Sequence, residues 1–283
     1  MPDLHRIGYA DKSAAAKITN WMQRPADPTL PPPLLIDCRH TPKTSYHPWD
    51  QEDLYRDYGE RYRWAGKVFG NPDHHKKGAP IRLSDYPRGC KRIEEYLTLG
   101  HDLILLCGCA NYFACHLQMI VEKLLMDLPH LLAPCLSISQ PYAWLILHSE
   151  LLIRCNVAPK LVENRKQDTQ YRGGPLYLHT GKTPNPDDFG KGGALDLGWK
   201  RRVGDDLYAL MPKFFREYET GGIVGKATLE QVVEYSREPW AVSGQKQYLL
   251  SSVESLPFTP CRGDLGIFAL PASLVKSSLQ VAR

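Results

Sequence analysis

The sequence predicts an α/β domain built on a parallel sheet over residues 1–130, then a β-barrel with helical insertions over residues 134–275, and a short tail over 276–283. Three observations predict this. The chain has 283 residues, enough for two average domains that each bury their own core. Its first half alternates apolar strand-like runs with segments of helical period, as a parallel sheet with crossover helices requires. Its second half changes to short apolar runs separated by Gly and Pro, the texture of a compact barrel.

Taken in order, Arg6-Ile-Gly-Tyr-Ala10 reads as a strand, and Ala14, Ile18, Trp21 and Met22 lie on one helical face. Pro25 and Pro31-Pro-Pro33 cannot continue that helix and mark an extended connector into the strand Leu34-Leu-Ile-Asp-Cys-Arg39. A helix over Tyr86–Leu99 precedes Leu103-Ile-Leu-Leu-Cys107, apolar throughout like a strand covered on both faces. A helix from about Ala114 to Leu128 follows, and Pro129-His-Leu-Leu-Ala-Pro134 closes the domain. Beyond it, strands are expected at Cys135–Ile138, Val162–Arg165, Leu176–His179, Gly222–Lys226, Gln247–Leu250 and Leu265–Ala269, with a mobile loop over Pro184–Gly204.

Composition excludes several classes. No apolar run approaches the roughly 20 residues of a membrane-spanning helix, and Met1-Pro-Asp-Leu-His-Arg6 has no apolar signal core, so a cytoplasmic protein is expected. A net charge of +4 is too small for a non-specific DNA coater, which makes any nucleic-acid contact local. Eight cysteines are too few to replace a core in a chain this long and read as thiols.

The residues Ser137-Ile-Ser-Gln-Pro-Tyr-Ala-Trp144, Pro159-Lys-Leu-Val-Glu-Asn-Arg165, Tyr171-Arg-Gly-Gly174, Leu176-Tyr-Leu-His-Thr-Gly181, Gly225-Lys-Ala227 and Arg262-Gly-Asp-Leu-Gly-Ile-Phe268 resemble the ASCH family. ASCH domains are similar in fold to PUA domains. The resemblance implies a β-barrel with a cleft beside its rim that binds RNA, DNA or a modified base. It also implies that Lys160, Glu163 and Arg165 belong to that cleft, with Tyr142, Tyr171, Arg172 and Lys182 as further base- or strand-binding residues.

The chemistry of these residues suits such a role. Strand alternation puts Glu163 and Arg165 on one face, with Lys160 arriving from the preceding turn. A carboxylate accepts from an exocyclic amino group, cations bind phosphate or a base carbonyl, and a tyrosine ring offers a stacking face. Spacing alone also allows a structural ion pair between Glu163 and Arg165, and places Trp144 in the core. The related acetylcytidine amidohydrolases use a threonine nucleophile, and Glu163 stands at that position here. A carboxylate is a poor substitute for an activated hydroxyl, so that activity is not carried over. Glu163 and Lys160 remain candidates for an acid/base pair.

In the first half, Ile7-Gly-Tyr-Ala10, Leu35-Ile-Asp-Cys-Arg39 and Leu105-Leu-Cys-Gly-Cys-Ala-Asn-Tyr-Phe-Ala-Cys-His116 resemble domain-of-unknown-function family 488, with Leu117 where that family carries arginine. Both later segments put polar groups at carboxyl ends of parallel strands, where open α/β sheets bind ligands. Asp37, Arg39, Cys107 and His116 are therefore candidate ligand residues. Cys115, opening a helix, is expected to have a lowered thiol pKa and to act as a reactive group beside an anion held by Arg39. Cys107, Cys109, Cys115 and His116 offer four metal ligands, but the spacing Cys-x-Cys-x5-Cys-His lacks the usual two-residue loops, so no metal or other cofactor is predicted; buried inert thiols are the remaining reading.

Between Tyr46 and Lys77, rings and bases interleave (Tyr46, His47, Trp49, Tyr55, Tyr58, Tyr62, Arg63, Trp64, His74-His-Lys-Lys77), a pattern that serves either strand binding or a cover packed on the sheet. Together these features predict a protein that binds or processes nucleic acid or a modified nucleobase, its partner being RNA, DNA or a free modified nucleoside. A non-catalytic reader and a ribonuclease or nucleoside hydrolase using Glu163 and Lys160 are the alternatives.

Overall fold

A computed structural model describes residues 2–23, 29–76, 78–109 and 111–281. Pro25 of the predicted connector, Lys77 of the basic run and Ala110 of the cysteine segment lie outside the described residues. The chain divides into two compact units, residues 1–133 with 269–274, and residues 134–268 with 275–283.

The first unit runs β1 (Leu4–Gly8), α1 (Ala14–Met22), β2 (Leu34–Asp37), α2 (Gln51–Tyr58), β3 (Tyr62–Trp64), α3 (Gly66–Phe69), α4 (Tyr86–Thr98), β4 (Leu103–Cys107) and α5 (His116–Asp127). Its four strands lie in the order β1-β4-β2-β3, and every pairing is parallel, with Leu4 and Leu34 both opposite Leu103. This is the parallel sheet that the alternating pattern predicts. Strand β4 is central because all five of its residues are apolar and buried, which only a strand covered on both faces tolerates. Ala14, Ile18 and Met22, spaced by four, lay one face of α1 against Ile7, Leu35, Ile104 and Leu106. The helix starts carry their own caps: Asp50 accepts from the Glu52 amide at 3.0 Å, Asp85 accepts from the Arg88 amide, and Cys115 Sγ accepts from the Leu117 amide at 3.4 Å.

The second sheet and its helices run β5 (Leu132–Ile138), α6 (Tyr142–Leu147), α7 (Ser149–Arg154), β6 (Val162–Arg165), β7 (Gly174–Thr180), α8 (Gly198–Leu210), β8 (Gly222–Val233), β9 (Lys246–Pro260) and β10 (Ile267–Pro271), with α9 (Ala272–Val281) beyond; all but the start of β5, most of β10 and the start of α9 belong to the second unit. The sheet is mixed, in the order β10-β5-β7-β8-β9-β6. Strand β5 pairs β7 in parallel, while β7–β8, β8–β9 and β9–β6 are antiparallel. The hydrogen-bonded order is open: among the described residues no pairing joins β6 back to β10 or β5. Strand spacing in a sequence reports how many strands there are and says little of closure. The long β8–β9 hairpin shifts register three times, and such irregularities bend a sheet. The Arg165 guanidinium of β6 donates to the Ser137 carbonyl of β5 through its side chain alone.

The stretch Pro184–Gly204 is not a loose loop. Phe189 and Leu195 bridge one another, and with Trp199 they are buried in the core that also holds Leu145, Leu152, Val162, Val203 and Leu207. These apolar anchors outweigh the Gly, Asp and Lys around them. Among the described residues no helix is long and apolar enough to cross a membrane.

Candidate functional site

In the second unit, β6, the N-terminus of α6 and α8 enclose a cleft of about 320 Å³. Lys160, Glu163, Arg165 and Tyr142 all line it, together with Arg202 and Trp240. Glu163 and Arg165 point the same way because they are two apart on β6, where they face Tyr248 and Lys246 of β9. Lys160 precedes the strand and is only 1% exposed. Its ammonium donates to the Val162 carbonyl, lies 3.6 Å from Glu163 Oε2 and stands 5.4 Å from the Tyr142 ring centre. Burial pushes this ammonium below the ordinary lysine range, and the Glu163 carboxylate opposes that only in part.

Arg165 Nε is 3.1 Å from Glu163 Oε1, close enough for an ion pair, yet its N–H is aimed elsewhere and finds no hydrogen-bond acceptor. A buried donor left in that condition is costly in water-free surroundings and is satisfied when a ligand supplies an acceptor. On the opposite wall, the Arg202 guanidinium lies 4.8 Å from the Trp199 ring centre, 5.1 Å from Trp240 and 5.7 Å from Tyr142. Tyr142 is held by its hydroxyl, which donates to Asp188 at 3.2 Å and accepts from Arg202 at 3.4 Å. Asn164 clamps the neighbouring segment, donating to the Trp240 carbonyl at 2.9 Å and accepting from the Val242 amide at 2.8 Å. The cleft thus combines three cations, one carboxylate and ring walls.

Three of the expected binding residues are elsewhere. Tyr171 is buried, its hydroxyl donating to the Pro175 carbonyl at 2.6 Å, so its ring is core and offers no stacking face. Arg172 pairs with Asp168 at 2.8 Å. Lys182 lines a second hollow of about 460 Å³ with Ser137, His179, Arg262 and Asp264. Conversely, Arg202 and Trp240 escaped the sequence reading. Trp199 and Val203, four apart, mark the first part of α8, which bears Arg202, before Gly204 breaks the helical backbone; nothing local marks Trp240.

In the first unit, Asp37 and Arg39 do lie at the carboxyl end of β2, but they are spent on each other. Arg39 Nε and Nη2 donate to Asp37 at 2.8 and 2.5 Å, and Nη1 donates to the Trp49 carbonyl at 2.7 Å. Asp37, fully buried, also accepts from the Tyr62 hydroxyl at 2.7 Å. Arg39 is thus held at the carboxyl end of β2 by Asp37 and the Trp49 carbonyl. In the aromatic and basic stretch Arg56 pairs with Asp53, Arg63 with Glu60, and Lys76 with Asp73; Trp49 and Tyr62 are buried, while Tyr46 and Tyr55 are exposed.

Cys107, at the end of β4, lies 3.5 Å from Cys109 and 3.3 Å from Cys115 by their sulfurs, and 3.6 Å from His116 Nδ1. The thiols of Cys109 and Cys115 hydrogen-bond to Cys107 and pull its thiol far down, whereas Cys115, bonded to that sulfur, is pushed up. Burial lowers the His116 imidazole, but the neighbouring sulfurs of Cys107 and Cys109 outweigh it and carry the ring up to about 10.

Compared with protein-family models the chain matches none, and compared with curated proteins it likewise matches none.

Proposed function

We propose that the second unit is an ASCH-like module that takes one nucleotide or modified nucleobase into the cleft of Lys160, Glu163, Arg165 and Arg202, and that the protein binds or processes nucleic acid or nucleosides through it. The observation that carries this reading is the cleft itself: buried opposite charges and an unsatisfied Arg165 donor beside ring walls, in a hollow near the lower end of the size range of ligand pockets, about 300–1,000 Å³. The Tyr142 and Trp240 walls fit a planar heterocycle, Glu163 accepts from an exocyclic amino group, and Arg202 with Arg165 suits a phosphate. The hollow has room for a single extruded nucleotide and none for a duplex, so a base would enter from a single strand, a flipped position or free solution.

The test is direct titration of nucleoside monophosphates and short single-stranded RNA and DNA, with wild type compared to Glu163→Gln and Arg202→Ala. Binding weakened at least tenfold by each substitution is the expected result. Equal affinity of all three proteins for every ligand would discard the cleft as the binding site.

A second reading, a hydrolase of nucleic acid or nucleosides, is favoured by one observation, the depressed Lys160 ammonium 3.6 Å from a carboxylate. Such a pair can pass a proton to or from a reacting oxygen. It predicts product formation that Glu163→Gln abolishes; intact substrate after incubation with wild-type protein across divalent metals would leave only the binding reading.

A further inference from the structure

The four soft donors of the first unit form a cluster that the cleft chemistry does not use. Cys107 Sγ, Cys109 Sγ, Cys115 Sγ and a His116 ring nitrogen all lie within 4.8 Å of one another. Around a tetrahedral zinc ion with metal–sulfur bonds of about 2.3 Å, sulfurs stand about 3.8 Å apart and a ring nitrogen about 3.5 Å from each. The contacts of 3.3, 3.5, 3.6 and 3.9 Å found here are of that size.

The surroundings are arranged for a metal. His116 Nε2 is 2.9 Å from the Cys38 carbonyl, which can only accept, so Nε2 carries a hydrogen and Nδ1 is the nitrogen turned to the sulfurs. An outer carbonyl that fixes the ring in this way is the usual partner of a metal-bound histidine. The Leu117 amide donates to Cys115 Sγ at the start of the twelve-residue helix α5, and that N–H and the helix dipole offset thiolate charge. Gly8 lets the cysteine loop close: a Cβ there would stand 1.8 Å from the Cys109 carbonyl oxygen.

We infer that Cys107, Cys109, Cys115 and His116 bind one zinc-type divalent ion in a closed, four-protein-ligand site that ties the end of β4 to the start of α5. A disulfide explains the cluster less well. Cys107 approaches Cys109 and Cys115 about equally, so oxidation to either leaves the other thiol and His116 without a purpose, whereas one ion satisfies all four. As the ion binds, protons still held by the cysteine thiols leave to solvent, and Nδ1 offers its lone pair. The short spacing between ligands is not an obstacle, because the chain bends just after β4 and brings Cys109 Sγ within 3.5 Å of Cys107 Sγ, and Cys115 and His116 come from a separate element.

The test uses the full chain, purified under reducing conditions without chelator. Elemental analysis should give one zinc per chain, and the cobalt-substituted protein should show thiolate-to-metal charge transfer. Cys109→Ala, chosen because Cys109 is the most exposed ligand, should lower zinc affinity at least tenfold and weaken that band while the fold persists. Chelation of wild-type protein, which needs no substitution, should lower its melting temperature and expose Cys107, Cys109 and Cys115 to alkylation. A reduced chain that takes up neither added zinc nor cobalt, and whose thiols react identically with and without zinc, overturns the inference, as does a Cys107–Cys115 or Cys107–Cys109 disulfide found in protein isolated with alkylation of free thiols.

Discussion

Lys160 Nζ lies 3.6 Å from Glu163 Oε2, and the lysine side chain is 1% exposed. The two members of this pair are not symmetric. Glu163 has a second cation in Arg165, whereas Lys160 has no other carboxylate lining the cleft. Removing the lysine therefore leaves a paired carboxylate, but neutralising the carboxylate leaves a buried cation beside two arginines. Glu163→Gln is expected to destabilise the chain by about 3 kcal/mol and Lys160→Met to change stability by less than about 1 kcal/mol. Urea unfolding of both variants checks the order; a costlier Lys160→Met reverses it.

The pH dependence has a definite sign. Burial holds the folded Lys160 ammonium below the unfolded value near 10.5. Between the depressed folded value and 10.5 the unfolded chain binds more protons, so stability rises with pH across that window. The cost of burying the charge is full below it and fades toward its upper end. Stability of wild type minus that of Lys160→Met, followed from neutrality upward, should climb; a flat or falling difference contradicts the buried-cation reading.

Arg202 sits among three rings and, unlike Arg165, has no carboxylate within ion-pair distance among the described residues. Its charge is free for a ligand anion. Arg202→Ala should weaken a nucleoside monophosphate more than the parent nucleoside and flatten the salt dependence of binding by about one unit of slope at most. Calorimetric titration at two salt concentrations reads both.

Asp37 and Arg39 form a buried ion pair in the first unit. Arg39→Met strands a fully buried carboxylate, with Tyr62 as its remaining side-chain donor, and should cost about 3–5 kcal/mol. Denaturant unfolding measures it, and nucleotide affinity of the folded fraction should be unchanged.

Thiol labelling separates the cysteines by burial. Cys38 and Cys135 are 0% exposed and Cys115 is 3% exposed, while Cys90 and Cys155 are half-buried. Under native conditions alkylation should reach Cys90, Cys155 and the likewise half-buried Cys261 first, and Cys38, Cys135 and Cys115 last; Cys109, also half-buried, joins the first group only where no ion holds it. Mass spectrometry of the labelled peptides decides; rapid labelling of Cys115 would restore it as the reactive thiol.

Much of the fold was legible because period and burial coincide in it. The unbroken apolar run of β4 and the four-residue spacing of Ala14, Ile18 and Met22 identify a central parallel strand and its covering helix from local chemistry alone. Strand β3, three residues long and carrying Arg63, has too short a run to show a period. Strand β6 shows its site for the same local reason: two residues apart means one face, so Glu163 and Arg165 were placed together before any contact was known.

The amino-acid sequence by itself determined the strands β1, β2 and β4 with the helices α1, α4 and α5, the strand positions of the second half, and that Lys160, Glu163 and Arg165 share a neighbourhood, since these follow from side-chain period over a few residues. Only the tertiary structure decided that Arg202 and Trp240 complete the cleft, that Tyr171 is core, that Arg39 is consumed by Asp37, and that four soft donors from two elements converge. Arg202 and Trp240 reach the cleft from far along the chain, and the other facts turn on which way side chains face once strand ends, turns and helix starts are packed, which no side-chain period records.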